Sequence, residues 1–469
     1  MTLSTRIAAA SAFFLTVALF YAPLAYGCTR PEMLPTLFGL LAACILTGAI
    51  SFLAARRWPA VPKLPLFCIT AILVQGWWMT FNPVFASLIT ENGGLVDTTM
   101  ENIERISFDS MMVTTLLLGS FVVLCGILGD TTLRRFILLA AALSGVLISV
   151  IGIVLKLSGE PLMRYVWKPL DIDWNDFALY RYHANAGAFL NLTWPLILVF
   201  ARRVYSQPTP LFKKIAWTFA SLACGSALFL NASKASLAIG LLILPWPFST
   251  GLMRMQRRSL FILCACSLFI LAGALFASSQ MAHEAAFQRM TDTSEVSASF
   301  DGRWAAYEQY LNAVPSVGWF GLGPGLFKIA FPYQISPLGN TSLALRDFAH
   351  EDYLQTMLEW GWLGSLWWCL LIGGGLFRGL KTYFRREYFP SKTDRHLVLA
   401  AILGVCGTLA QALIDFPLQV PSIRLFFLVL LALCWASPQL LAIPAREPKA
   451  RIRYRLAIPA DHAVTTSSR

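Results

Sequence analysis

His350 is followed directly by Glu351 and Asp352 in the stretch Ala349-His350-Glu351-Asp352-Tyr353-Leu354-Gln355, where a long polar segment gives way to an apolar run. The 469-residue chain has only five histidines, so an imidazole beside two carboxylates stands out against its background. An imidazole just ahead of a helix meets the positive end of the helix dipole, which favours the neutral form. A neutral imidazole accepts a proton from a hydroxyl, the task of a general base. Glu351 is a second candidate catalytic group, although an exposed first-turn acid, as both Glu351 and Asp352 are expected to be, also serves simply to complement the dipole. Glu359 follows about 12 Å beyond the start of the helix, inside the apolar run, where an ionisable group is functional or paired.

The second set of chemically useful residues is cationic. Arg164, Lys168, Arg181, Lys234, Arg289, Arg303 and Arg346 fall in segments that the charge pattern assigns to the exterior of a membrane, where lysine and arginine are normally thinned out. An anionic ligand accounts for them as a set, and a guanidinium presents two parallel N–H donors that match phosphate oxygens. Arg303 with Asp301, or Arg346 with Asp347, could equally form surface ion pairs. Lys234 lies in the short link Asn231-Ala232-Ser233-Lys234-Ala235 between two apolar runs, where a cation either snorkels to the surface or has a partner. Arg181 precedes a helix in Tyr180-Arg181-Tyr182-His183-Ala184-Asn185.

These residues are carried by a chain that is 57% apolar and 13% charged. About 12 apolar runs, each roughly one bilayer crossing, lie near 7–26, 34–55, 64–85, 111–129, 136–157, 185–201, 215–231, 235–250, 259–278, 353–377, 398–414 and 423–442. The expected fold is all-α: a polytopic integral membrane protein whose single helical bundle spans 1–442, with a basic cytoplasmic tail over 443–469. The first run has the charge and apolar core of a signal peptide, but retaining it makes every loop obey the positive-inside rule. Both termini are then cytoplasmic, residues 86–109 form an acidic exterior loop, and the largest exterior loop, 279–350, precedes the tenth helix. Within that loop Trp304, Tyr307 and Leu311 recur at helical spacing, as in an amphipathic helix lying on the membrane surface.

Several function classes are disfavoured. The net charge of +12 is spread over short loops, which suits anionic lipid headgroups better than nucleic acid. Of the ten cysteines nine fall inside expected helices, so neither a disulfide framework nor a CxxC metal site is available, and no cofactor motif is present. Gly321-Leu322-Gly323-Pro324-Gly325 lacks the lysine and the strand-to-helix context of a nucleotide loop and reads as a sharp turn. Neither HExxH nor a Ser/His/Asp spacing occurs, which leaves acid–base and electrostatic catalysis.

Arg303-Trp304, Pro315 through Gly318, Gly321 and Gly323, His350 through Gln355 with Glu359 and Gly361, and Asp415-Phe416-Pro417-Leu418 together resemble the O-antigen ligase and polymerase superfamily of bacterial cell envelopes. That family includes glycan polymerases and protein O-oligosaccharyltransferases. The resemblance implies metal-independent, inverting transfer of a glycan from a polyprenyl diphosphate to a hydroxyl on a glycan, lipid A-core or protein, at the periplasmic face of the inner membrane and without a cofactor. His350 matches the family's essential histidine and Arg303 its large-loop arginine. Lys234 stands where the family commonly has arginine, which keeps the charge and loses the bidentate fork. Arg181 and Asn185 correspond more loosely to a polar motif, and Arg289 joins Arg181, Lys234 and Arg303 as a candidate diphosphate ligand. A transporter or flippase of the same lipid-linked glycan is the rival class, and it would more often show deep charges in several helices and paired half-repeats.

Overall fold

Uninterrupted apolar runs fold as helices in lipid because a helix satisfies its backbone polar groups internally. The computed structural model describes residues 2–56, 61–83, 100–158, 176–243, 304, 306–329, 331 and 348–441. Its principal helices are α1 (Leu3–Leu24), α2 (Leu34–Ala54), α3 (Lys63–Phe81), α4 (Met100–Ile127), α5 (Thr131–Ser158) and α6 (His183–Tyr205). After these come α7 (Leu211–Leu230), α8 (Lys234–Ile243), α9 (Asp352–Phe384), α10 (Lys392–Gln411) and α11 (Pro421–Ala436). The β structure among the described residues is one isolated bridge between Phe177 and Tyr180.

Nine helical segments among the described residues are long and apolar enough to cross a membrane, against the about 12 runs expected. The expected run at 215–231 is α7, long enough but less apolar. The run at 235–250 begins as α8, and the run at 259–278 lies outside the described residues, as does the expected tail. The acidic stretch 86–109, expected as a loop, is helical from Met100 onward. Hydropathy marks the part of a helix that sits in lipid, whereas Glu101, Glu104 and Arg105 are good helix formers that prolong α4 beyond it.

α6 and α11 form the centre of the bundle and are buried along nearly their whole length. α6 packs against α5, α7 and α10, and α11 against α4, α9 and α10. α1 is tied in by Ser11 Oγ, which donates to Cys44 O at 2.7 Å, and by Ser144 Oγ, which donates to Leu19 O at 2.9 Å. At one end of the bundle the buried Arg134 meets Asp394 at 3.2 Å, and Arg135 meets the other oxygen of the same carboxylate at 3.1 Å. The opposite end carries His350.

Candidate active site

Four helix termini meet at the His350 end: the starts of α6, α9 and α11 and the finish of α10. Gln411 Nε2, on the last turn of α10, donates to Ala184 O in the first turn of α6 at 2.6 Å. Asp352 N, opening α9, donates to Ala412 O at 2.9 Å. The half-buried His350 lies at this junction with Nδ1 3.5 Å from Oδ1 of the buried Asp415. That separation is within ion-pair reach but lacks the geometry of a good hydrogen bond.

His350 has φ +55°, a left-handed backbone that histidine adopts more readily than branched residues, though it is still uncommon. Two hydrogen bonds flank it. Tyr307 Oη donates to His350 O at 2.9 Å, and Ala349 N donates to Gln355 Oε1 at 3.0 Å. Gln355 Nε2 in turn donates to Glu359 Oε1 at 3.0 Å, and Gly325 N donates to Glu359 Oε2 at 3.1 Å. The deep acid is therefore paired, as its position in the apolar run demands.

The expectation that Glu351 and Asp352 are exposed is corrected, since they are only 6% and 2% exposed. Glu351 is the N-cap of α9 and accepts from Leu354 N. Burial pushes its carboxyl up to about 7, against the pull of backbone N–H bonds in the first turn. Asp352 accepts from Leu418 N at 2.8 Å and from Gln419 Nε2 at 2.9 Å. It thereby clamps the loop carrying Asp415 and Phe416. Arg424 holds the same loop from behind, its Nε donating to Leu418 O at 2.9 Å.

Phe416 is the middle ring of an aromatic stack. Phe348 lies parallel to it at 4.3 Å between centroids, Tyr182 lies parallel at 5.4 Å, and His350 meets it edge-on at 4.8 Å. Tyr182 brings the preceding residue, the exposed Arg181, to the rim of the His350 junction. Lys234 is exposed at the start of α8, after the tight link from α7 in which Ala232 has φ +57°. That link presses on α6 so closely that a side chain at Gly187 would strike Ser236 and come within 2.7 Å of Asn231 Nδ2. Ser236 Oγ donates to Gln411 Oε1 at 3.2 Å, so one glutamine joins the Lys234 link to the first turn of α6. Beside Lys234 the buried side chain of Asn231 has no hydrogen-bond partner among the described residues.

The glycine-rich stretch that follows the loop helix does more than turn. α9 is broken at Gly361, which has φ +64° and ψ −170°. Within the break Leu358 O and Glu359 O accept from Leu322 N and Gly323 N at 2.8 and 2.9 Å. Trp362 N and Leu363 N donate to Gly318 O and Trp319 O at 3.4 and 3.1 Å. Residues 318–323 thus take over helical hydrogen bonds lost at the break. A Cβ on Gly361 would lie 2.5 Å from Gly321 N and from Trp319 O. The helical residues 306–313 complete this unit. Ala306, Tyr310 and Ala313 pack inward, whereas Trp304 and Leu311 of the expected stripe are exposed and Tyr307 is half-buried.

The structure therefore brings His350, Glu351 and Arg181 to one junction, with Lys234 on the neighbouring link. Arg303 and Arg289 lie outside the described residues. Sequence reasoning gave no site role to Gln355, Gln411 or Arg424, and it met Asp415 only inside a family motif. The available signal was that all four are polar residues within or at the edge of apolar runs.

Residues 219–369 match the family model described as O-antigen ligase. The match takes in Lys234, the whole of residues 279–350, Glu351, Glu359 and Gly361, and it leaves Arg181 and Asp415 outside. No curated protein matches the chain.

Proposed function

We propose that this chain, whose residues 219–369 match the O-antigen ligase family model, moves an oligo- or polysaccharide from a polyprenyl diphosphate to an acceptor hydroxyl at the His350 end of the bundle. The observation that carries this reading is the approach of His350 Nδ1 to within 3.5 Å of the buried Asp415 carboxylate, an acceptor that favours the tautomer with its proton on Nδ1 and leaves Nε2 as the base. In the proposed step the acceptor hydroxyl attacks the anomeric carbon and gives its proton to His350. The anomeric C–O bond to the diphosphate breaks as the new glycosidic bond forms, with inversion. The negative charge left on the diphosphate falls to Arg181 and Lys234, joined by Arg303 and Arg289 from the large loop. Glu351, a buried carboxyl poised near neutrality, is a candidate to assist proton movement at the same junction.

In this reading the step needs no metal, so chelation with EDTA leaves the rate unchanged. The His350 end faces the periplasm, the basic end and both termini face the cytoplasm, and the acceptor is a glycan, lipid A-core or protein. The test is the lipid-linked glycan pool, measured by mass spectrometry in a deletion strain carrying either the wild-type gene or His350→Ala. We expect the variant to insert normally, to accumulate polyprenyl-diphosphate glycan on the outer leaflet and to lose the transferred product. Accumulation on the inner leaflet instead would identify a flippase, and an unchanged pool would remove glycan transfer from consideration.

A further inference from the structure

We propose that Gln355 and Glu359 are positioning residues that hold the His350 imidazole in its working orientation; this rests on the transferase reading above. The left-handed backbone at His350 has to be held by its surroundings, because an L residue with φ +55° relaxes toward commoner conformations when released. On its carbonyl side the support is the Tyr307 hydroxyl. On its amide side the support is the bond from Ala349 N to Gln355 Oε1, made by two residues with 0% and 2% exposure.

Which way the Gln355 amide faces decides whether that second support exists. A backbone N–H can only donate, so the atom facing Ala349 must be Oε1, and Nε2 must then point down the helix toward position 359. Glu359, one turn on and on the same face, offers a carboxylate oxygen at 3.0 Å. Its second oxygen accepts from Gly325 N, two residues beyond the segment that fills the break of α9. The donors converge on the Glu359 carboxylate, from Ala349 through Gln355 on one side and from Gly325 on the other. With an apolar group at 359 the amide is free to turn its Nε2 against the Ala349 N–H, and His350 loses its support. Neither Gln355 nor Glu359 is asked to touch substrate, and both are buried.

The polarity makes a discriminating test available. Gln355→Glu alone sets two carboxylates against each other. Glu359→Gln alone turns an amide N–H toward the Gly325 N–H or toward Gln355. The double exchange, Gln355→Glu with Glu359→Gln, restores the three bonds that link Ala349, Gln355, Glu359 and Gly325. The position 355 carboxylate accepts from Ala349 N and from the new amide at 359, whose oxygen accepts from Gly325 N.

The purified proteins, checked for monodispersity and reconstituted in lipid nanodiscs, are assayed with lipid-linked glycan extracted from the deletion strain as donor. We expect each single variant to lose at least about 10-fold in kcat, with the donor KM within about threefold of wild type. The double exchange should recover to within about threefold. A second readout needs no transfer: diethyl pyrocarbonate labelling of His350, followed by peptide mass spectrometry with His183 as internal reference. The His350 rate should change at least threefold in the single variants and return to the wild-type rate in the double exchange. Wild-type turnover and labelling in the single variants would overturn the proposal, and so would a double exchange as impaired as the singles. An inactive wild type would sink the transferase reading instead, leaving the labelling to decide on the His350 support.

Discussion

Glu351 shows how a residue beside the candidate base can be tested apart from it. In the unfolded chain its carboxyl returns to about 4.5, whereas burial holds it at about 7 in the folded protein. Between those values the folded state keeps a proton that the unfolded state has lost. The stabilisation is therefore complete below about pH 4.5 and is lost as the pH rises through about 7, with a ceiling of about 3 kcal/mol. Glu351→Gln keeps an acceptor for Leu354 N and removes the titration. Thermal unfolding at pH 5 and pH 8 should show the wild type losing more stability on going to pH 8 than the variant does, and parallel losses would remove Glu351 from the linkage. At this scale the sequence was informative about His350 and Glu359, because a scarce imidazole and a carboxylate in an apolar run are conspicuous by type. It was silent on the partners. That Asp352 is buried rather than facing solvent goes with its bonds to Ala412, Leu418 and Gln419, which come more than 50 residues later.

The break in α9 makes the same point for an element. An apolar run over 353–377 reads as one continuous helix, and Gly361 is no stronger a breaker by local propensity than Gly373 twelve positions on. The difference is non-local: residues 318–323 supply the hydrogen bonds that the helix gives up around Gly361, whereas nothing stands within 4 Å of a Cβ placed on Gly373. The two glycines therefore predict opposite outcomes within one helix. Gly361→Ala forces an L side chain into φ +64° and against the Trp319–Gly321 backbone, a loss on the order of 3 kcal/mol or more. Gly373→Ala meets open space in regular helix and gains about 0.5–1 kcal/mol from propensity. Thermal midpoints of the two variants in the same detergent decide the matter, and equal shifts would mean that the break is not held by the loop segment. The start of α4 is the milder case. Its polar first turns were invisible to a hydropathy reading but raise no conflict with helix propensity.

Across the whole molecule, the alternation of apolar runs and basic loops made a helical membrane bundle evident, because lipid leaves the backbone few alternatives. What the alternation could not convey is that some of those loop cations are structural. Arg134 is buried against Asp394, with Arg135 on the second carboxylate oxygen, and Arg134 also donates to Leu128 O at 2.8 Å at the finish of α4. This group fastens the α4–α5 corner to the start of α10, at the end of the bundle opposite His350. Removing one partner of a buried pair leaves a charge uncompensated, so Asp394→Asn should destabilise the protein by about 3–5 kcal/mol. Because α10 also ends in Gln411, which ties the first turn of α6 to the Lys234 link, one helix joins the two ends. Sites so far apart with no shared partner ordinarily behave independently. The expected result is a lowered thermal midpoint with transfer per folded molecule within about twofold of wild type. A selective loss of transfer in protein still folded at the assay temperature would mean that α10 carries strain from the Asp394 cluster to the His350 junction.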